Sequence, residues 1–222
     1  MWQALYDELK AKNFMVVTVA MDSRAEASRE WIEAAKPQYV SLIDREHRVA
    51  ELYNMVNVPQ AVWIDERGRI VRPTETAGFN DAFRSMDIAT RTLPEEAQAR
   101  RKQARDVYIA ALKDWVAKGD KSSFAYSPAE AKKRLRLPTP EIVLANANFR
   151  LGRYLHAAGR KDEAEVFLQE AISLRPDSWN FWRQTADLEQ VGKASSPEFW
   201  ARVQSLGNKH YYEPADMPGM PS

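Results

Sequence analysis

The chain has 222 residues, a length that fits one large domain or two small ones. Apolar residues make up 45% and charged residues 28%, which is typical of a globular protein that buries a core. The 32 basic and 31 acidic side chains nearly cancel, which argues against a dedicated nucleic-acid or anionic-membrane binder. The lack of cysteine excludes disulfides, thiolate metal sites and cysteine nucleophiles within these residues.

Neither a membrane span nor a signal peptide is evident in the sequence. The longest apolar stretch, residues 14–21, is too short to cross a bilayer. The N-terminal residues lack the basic-then-apolar order of a signal peptide and have helical periodicity instead. For the sequence as it stands we expect a cytoplasmic protein that binds neither membranes nor nucleic acid.

Helical and strand-like periodicities alternate over the first 80 residues. Helices are predicted at residues 2–12, from Ser23 to Pro37 and over 45–54, and strands at 14–21, 40–43, 61–64 and 69–72. The side chains expected to face the core from the second and third helices are Trp31, Ile32, Ala35, Val49, Leu52 and Tyr53. Residues 14–21 are nearly all apolar, as in a strand buried on both faces. This order indicates an α/β domain at residues 1–80.

No strand is predicted after about residue 80. A charged helix at 94–118 should bury one face, formed by Tyr108, Leu112, Trp115 and Val116. An N-cap residue followed by proline begins a helix at Ser127-Pro128 and again at Thr139-Pro140. We therefore predict an all-α domain at residues 81–212. A proline-rich tail at 213–222 should lie extended on the surface or on the preceding domain.

Residues 148–176 of the helical region resemble a tetratricopeptide repeat (TPR), which is a pair of antiparallel helices. The residues that carry the resemblance are Leu151, Gly152, Leu155, Gly159, Ala164, Leu168, Ala171 and Pro176. It implies a close helix contact at Gly152 and Ala164, with the three leucines filling the core. One and a half repeats are too few for a solenoid. The pair at about 142–176 therefore either caps the first domain or forms a peptide-binding groove.

Five stretches in the first third of the chain follow one another in a distinctive order. They are residues 14–22, 42–44, 52–53, 58–59 and 62–70, closing at Gly78. Together they resemble the thioredoxin-fold redoxins of the TlpA/ResA-like and AhpC/TSA group. The resemblance implies a thioredoxin-like α/β fold and either thiol–disulfide exchange or peroxide reduction. The reaction partner would then be a protein thiol or disulfide, or a peroxide.

The same resemblance implies that Val58 and Pro59 bind the substrate. Pro59 would be the cis-proline that faces the redox pair in this fold; the alternative is a trans proline entering an ordinary strand. The backbone of Val58 would pair with an extended substrate segment, as in strand addition.

The sequence departs from the family at the redox motif. The family has a strand and a Cys-x-x-Cys motif, or a single cysteine, before the helix that begins this chain. Serine and threonine cannot replace a thiolate in disulfide exchange, so we predict no catalytic residue here. Three interpretations stay open. The chain is a piece of a redoxin, or it keeps the redoxin fold without its chemistry. In the third, the protein contains selenocysteine, and the in-frame UGA codon that encodes it moved the assigned start codon to a later methionine. An export signal would lie in the same missing stretch.

The missing strand is central in the family, where it lies between the strands at 14–21 and 61–65. Open strand edges leave backbone groups without partners, which is costly when they are buried. Three outcomes are open: the two strands pair directly, another segment or chain fills the slot, or residues before Met1 supply the strand. We favour the last for the natural protein. For the chain as given we expect direct pairing or a filled slot, with self-association through the exposed edge.

Other candidate sites are weaker. His47, His156 and His210 lie on different segments without a second ligand at helical spacing, so we predict no metal site and no cofactor. Residues 44–47 are interpreted as the charged first turn of a helix. The alternative function, from a different class, is a redox-inert interaction module whose TPR-like helices bind a protein partner.

Overall fold

The computed structural model describes residues 1–22, 27–189 and 195–221. The helices are α1 (Trp2–Leu9), α2 (Arg29–Ala35), α3 (Arg48–Leu52), α4 (Glu95–Lys118), α5 (Pro128–Arg134), α6 (Pro140–Ala157), α7 (Lys161–Leu174), α8 (Trp179–Glu189) and α9 (Pro197–Ser205). The strands are β1 (Val17–Met21), β2 (Val40–Asp44), β3 (Gln60–Ile64) and β4 (Ile70–Thr76). The predicted change from mixed α/β to helical structure is confirmed. The predicted cap at Ser23 lies outside the described residues.

The chain divides into two compact units, each assembled from separate stretches. Unit 1 comprises Met1–Met15, Pro59–Leu135 and Ala201–Ser222, and unit 2 comprises Val16–Val58 and Arg136–Trp200. This division does not follow the predicted boundaries at residues 80 and 212, because α1 and the β3–β4 hairpin share a core with α4. None of the helices in the described part of the chain is long and apolar enough to cross a membrane.

The strands form two separate two-stranded sheets. In the parallel sheet β1 lies beside β2 with Val17 opposite Val40, and in the antiparallel sheet β3 lies beside β4 with Gln60 opposite Thr76. The expectation that the strands at 14–21 and 61–65 pair directly, or that a segment fills the slot between them, is therefore wrong for the described residues. The physical reason is that β1 and β3 belong to different units, each with its own core.

The predicted burial of the first strand is also wrong. None of the five β1 side chains is buried, and Val17 is 54% exposed. Trp31 on α2 and Leu52 on α3 were expected to face the core, but they are 76% and 70% exposed. Ala35 is exposed as well. In α3, which has only five residues, the buried residue is Ala50 and not one of the predicted ones. A sheet of two strands, about 5 Å apart, is too narrow to cover these apolar faces.

The core of unit 1 forms where α4 packs on α1 and on the hairpin. Its buried members are Leu5, Leu9, Trp63, Val71, Ala77, Tyr108, Ala111, Leu112, Ala215 and Met217. Trp63 donates from Nε1 to the hydroxyl of Tyr108 at 2.8 Å and stacks on Trp115 at 5.1 Å between ring centroids. The predicted inward face of α4 is thus confirmed at Tyr108 and Leu112. The tail is more deeply embedded than predicted, since Ala215 and Met217 are core residues.

Unit 2 is built around the helical hairpin of α6 and α7. A Cβ atom at Gly152 would lie 2.6 Å from Cγ of Leu168 and 3.1 Å from the carbonyl oxygen of Ala164. The predicted close contact at Gly152 and Ala164 is therefore confirmed. Leu151 was expected in the core but is 41% exposed, because it lies on the α6 face that also carries the exposed Tyr154. The predicted caps at Ser127 and Thr139 are confirmed by their bonds to the N–H groups of Glu130 and Ile142.

Candidate functional site

The predicted substrate-binding pair lies in a bend that leads from α3 into β3. Val58 belongs to unit 2 and is 42% exposed, and its N–H donates to Oδ1 of Asn57 at 2.9 Å. Pro59 belongs to unit 1 and is half-buried, and its carbonyl oxygen accepts from the N–H of Ala77 at 3.2 Å. The role of this pair in binding a substrate, and the cis form of the bond between them, stay predictions.

Asn57 is a residue of this bend that the sequence analysis missed. Its side chain is buried and bonds to the adjacent backbone, as asparagine commonly does in turns. The signal was present in the sequence, since asparagine shortly before proline is typical of a turn. The bond has a chemical consequence. A strand that pairs with the N–H of Val58 must displace the Asn57 oxygen from it.

Unit 1 also contains a buried charge network centred on Arg72 of β4. The Arg72 side chain is 1% exposed and donates to both carboxylate oxygens of Glu75, at 2.8 and 2.7 Å. It also donates to the carbonyl oxygens of Phe124 and Asp216 at 2.8 and 2.9 Å. Burial raises the pKa of Glu75, and the bond from Arg72 opposes that shift. Because its donors are already used, Arg72 fixes a loop and the tail to the hairpin and is not a ligand-binding group.

The Arg72 network was not predicted from the sequence. The return strand was predicted to end at residue 72, whereas β4 continues to Thr76 and includes Glu75. The rings of Trp63 and Tyr126 flank the guanidinium at 5.4 and 4.5 Å. The spacing of an arginine and a glutamate three residues apart was visible in the sequence. Trp63, however, is brought beside Arg72 by the register of the hairpin, and Tyr126 comes from a distant segment.

His47 of unit 2 lies at the N-terminal end of α3. It is 4% exposed and has a φ of 54°, a left-handed conformation that is uncommon outside glycine. Burial, followed by the charge of Arg153, lowers the pKa of His47 to about 4, so the imidazole is neutral at physiological pH. Asp44 accepts the N–H of Val49 at 2.7 Å, in agreement with the predicted charged first turn.

These residues can position a bound molecule by hydrogen bonding and by shape. They provide no thiol nucleophile, because the sequence contains no cysteine. Among the described residues, no group of three or more histidine, aspartate or glutamate side chains is placed to hold a metal ion. His210 lies 3.6 Å from the carboxylate of Asp81, and His156 lies on α6, so the three histidines belong to separate elements.

The comparisons with known proteins agree with the resemblance of the first strands and helices. The AhpC/TSA family model matches residues 1–72, which is about a third of the chain and extends from α1 into β4. No curated protein and no solved structure matches the chain. The match implies a thioredoxin-like α/β fold at the N-terminus, and at the level of the family it supports a relationship of residues 1–72 to the AhpC/TSA redoxins.

Proposed function

We propose that this chain is the scaffold and substrate-binding part of a redoxin whose redox group is a cysteine or selenocysteine outside these 222 residues. The observation that carries the proposal is the AhpC/TSA match over residues 1–72 in a sequence without cysteine. Disulfide exchange and thiol-based peroxide reduction both need a thiolate or selenolate as the nucleophile. The 222 residues therefore bind and position the substrate but do not react with it.

The substrate would be bound at the bend before β3. Val58 is exposed and β3 follows directly, so an extended segment of a protein disulfide substrate can align with the backbone there. The bond from Val58 to Asn57 holds this backbone in place before the substrate arrives. A protein disulfide fits this backbone contact better than a small peroxide does, since a peroxide offers no strand to align.

The test is to isolate the natural protein and measure its mass. An antibody against α4 would recover it from cells, and iodoacetamide would label any reactive cysteine or selenocysteine. We expect a mass above that of the 222-residue chain and at least one alkylated residue, with a selenium isotope pattern if it is selenocysteine. A natural protein that has the mass of this chain and takes up no label would overturn the proposal.

The alternative function is a redox-inert interaction module. The specific observation in its favour is the exposed apolar face of α6, which carries Val143, Leu144, Leu151 and Tyr154. Exposed apolar patches of this kind are typical of protein-binding surfaces. A photo-crosslinking residue in place of Tyr154 should give a defined adduct in cells, and one in place of the exposed Glu163 should not. Equal adducts from both positions, or none, would contradict this function.

A further inference from the structure

The bend before β3 is held in place by residues from much later in the chain. The bend is defined here as residues 54–58, which form neither helix nor strand. It belongs to unit 2, together with α6, α7 and α8. Loops normally run over the surface, where their backbone groups are hydrated. This bend instead forms hydrogen bonds to residues that are 82 to 125 positions away.

Asn180 of α8 holds the middle of the bend. It is the second residue of this helix and is 5% exposed. Its backbone N–H donates to the carbonyl oxygen of Val56 at 3.0 Å, and its side-chain amide donates to the carbonyl oxygen of Met55 at 3.1 Å. The first N–H groups of a helix have no acceptor within the helix, and the bend supplies an acceptor for one of them. One buried residue therefore fixes two consecutive carbonyl groups of the bend.

Both ends of the bend are held as well. Asn54 begins it with a φ of 52°, in the left-handed region. The Oδ1 atom of Asn54 accepts from the buried side chain of Arg175, and its Nδ2 donates to the carbonyl oxygen of Arg136 at 2.7 Å. At the other end, the side chain of Asn57 accepts the N–H of Val58. The bend is thus fixed along its length, although the Val58 side chain at its end is exposed.

We propose that α8 holds the bend in the conformation that binds the substrate, with Asn180 as the positioning residue. This role rests on the function proposed above, in which the backbone of Val58 pairs with an extended segment of the substrate. A bend that is already ordered loses little conformational freedom when a strand aligns with it, so the substrate binds more tightly. The helical region thus contributes to substrate binding without contacting the substrate.

The probe is the S-carboxymethylated B chain of insulin, an unfolded polypeptide without a free thiol, and the reporter is the NMR signal of the Val58 N–H in the full chain. In the unaltered chain we expect this signal to shift and to saturate as the probe is added. Asn180→Asp keeps the size of the side chain but removes the donor to Met55. We expect it to weaken binding about fivefold, since one hydrogen bond no longer holds the bend.

A matched control and a second variant separate positioning from a general loss of structure. Asn148→Asp makes the same change at an amide that donates to Leu144 within α6, and it should bind the probe like the unaltered chain. Asn54→Gly permits the left-handed backbone and removes both side-chain bonds at the start of the bend, so it should also weaken binding. Hydrogen exchange of the Met55 N–H, which donates to Ala50 at 2.8 Å, should become faster in both bend variants, whereas exchange in the centre of α6 should not.

Each failure has a distinct meaning. If the probe leaves the Val58 signal of the unaltered chain in place, the bend is not the substrate site, and the proposed site and the role of Asn180 are overturned together. If the probe binds the unaltered chain and both bend variants with equal affinity, the site stands and only the positioning role is overturned. Unchanged exchange at Met55 in both variants would also overturn that role, because the bend would then keep its order without these bonds.

Discussion

The two sheets of this protein have the same number of strands but differ sharply in burial. In the β3–β4 hairpin, Trp63, Val71, Arg72 and Thr76 are all buried. In the β1–β2 pair, no side chain is buried, although the strands are rich in valine, leucine and isoleucine. Strand composition therefore does not determine burial; the elements that pack on the sheet do.

The hairpin is also defined by local interactions within its own turn. Asp65 accepts the backbone N–H groups of Arg67 and Arg69 at 3.0 and 2.9 Å, and Gly68 has a φ of 74°, so the turn is fixed within a few residues. Parallel strands need a long crossover, and their sheets are normally covered on both faces. Two strands alone are marginally stable. We therefore expect mutations in the hairpin to cost more than equivalent mutations in β1 and β2.

The largest effect is expected at Arg72. Arg72→Met would leave the carboxylate of Glu75 buried without its partner and remove the bonds that hold Phe124 and Asp216. Breaking a buried ion pair in this way lowers the free energy of unfolding by about 3–5 kcal/mol. Urea unfolding measures the change, with the exposed Arg67→Met as the matched control, expected to stay within about 0.5 kcal/mol. A loss below about 1 kcal/mol at Arg72 would contradict the importance of this network.

The second effect is a pH dependence of stability on the side of the parallel sheet, where His47 follows β2 by three residues in the sequence. Its folded pKa is about 4, below the ordinary value of 6.5, so folding favours the neutral imidazole. The stabilisation is complete above pH 6.5 and is lost as the pH falls to about 4, because the unfolded chain takes up a proton that the folded chain does not. This amounts to about 3 kcal/mol.

The variant His47→Asn isolates this contribution, since asparagine tolerates the left-handed backbone and does not titrate. Urea unfolding between pH 7 and pH 4 should therefore show a smaller loss of stability in the variant than in the unaltered chain. The carboxylates titrate alike in both proteins and cancel in the comparison. Identical pH dependence of the two proteins would show that His47 is not buried as a neutral group.

The third effect compares one valine from each sheet. Val71→Ala removes buried methyl groups from the core of unit 1 and should cost about 2 kcal/mol. Val17→Ala removes the same atoms from a half-exposed side chain and should change stability by less than about 0.5 kcal/mol. Thermal unfolding of both variants tests the comparison directly. Equal losses would mean that β1 is covered in solution.

The features that could be predicted from the sequence are those with local signals. The caps at Ser127 and Thr139, the turn before β4 and the close contact at Gly152 each depend on a few neighbouring residues. The burial of Trp31 was predicted wrongly, because an apolar side chain at helical spacing faces the core only if a neighbouring element covers it.

The candidate sites follow the same rule. The bend at Val58 and Pro59 was found through a family resemblance that depends on local order along the chain. The small cleft lined by His47, Asn146 and Arg175 was missed, because these residues are brought together only by the packing of distant helices.

The smallest effect on stability is expected at the edge of β1. Self-association there tests whether the exposed sheet pairs with other copies of the chain. Natural edge strands are protected from pairing with other chains by charges, prolines or bulges, and Val17–Met21 contains no charged residue and no proline. Self-association should therefore occur through this edge as the protein concentration rises. Val17→Lys adds a charge at an exposed position and should keep the chain monomeric in analytical ultracentrifugation, with a change in stability below about 0.5 kcal/mol. Val166→Lys, at an exposed valine of α7, is the control and should associate like the unaltered chain. If the unaltered chain stays monomeric at every concentration, or both lysine variants behave alike, the β1 edge is not the surface through which copies pair.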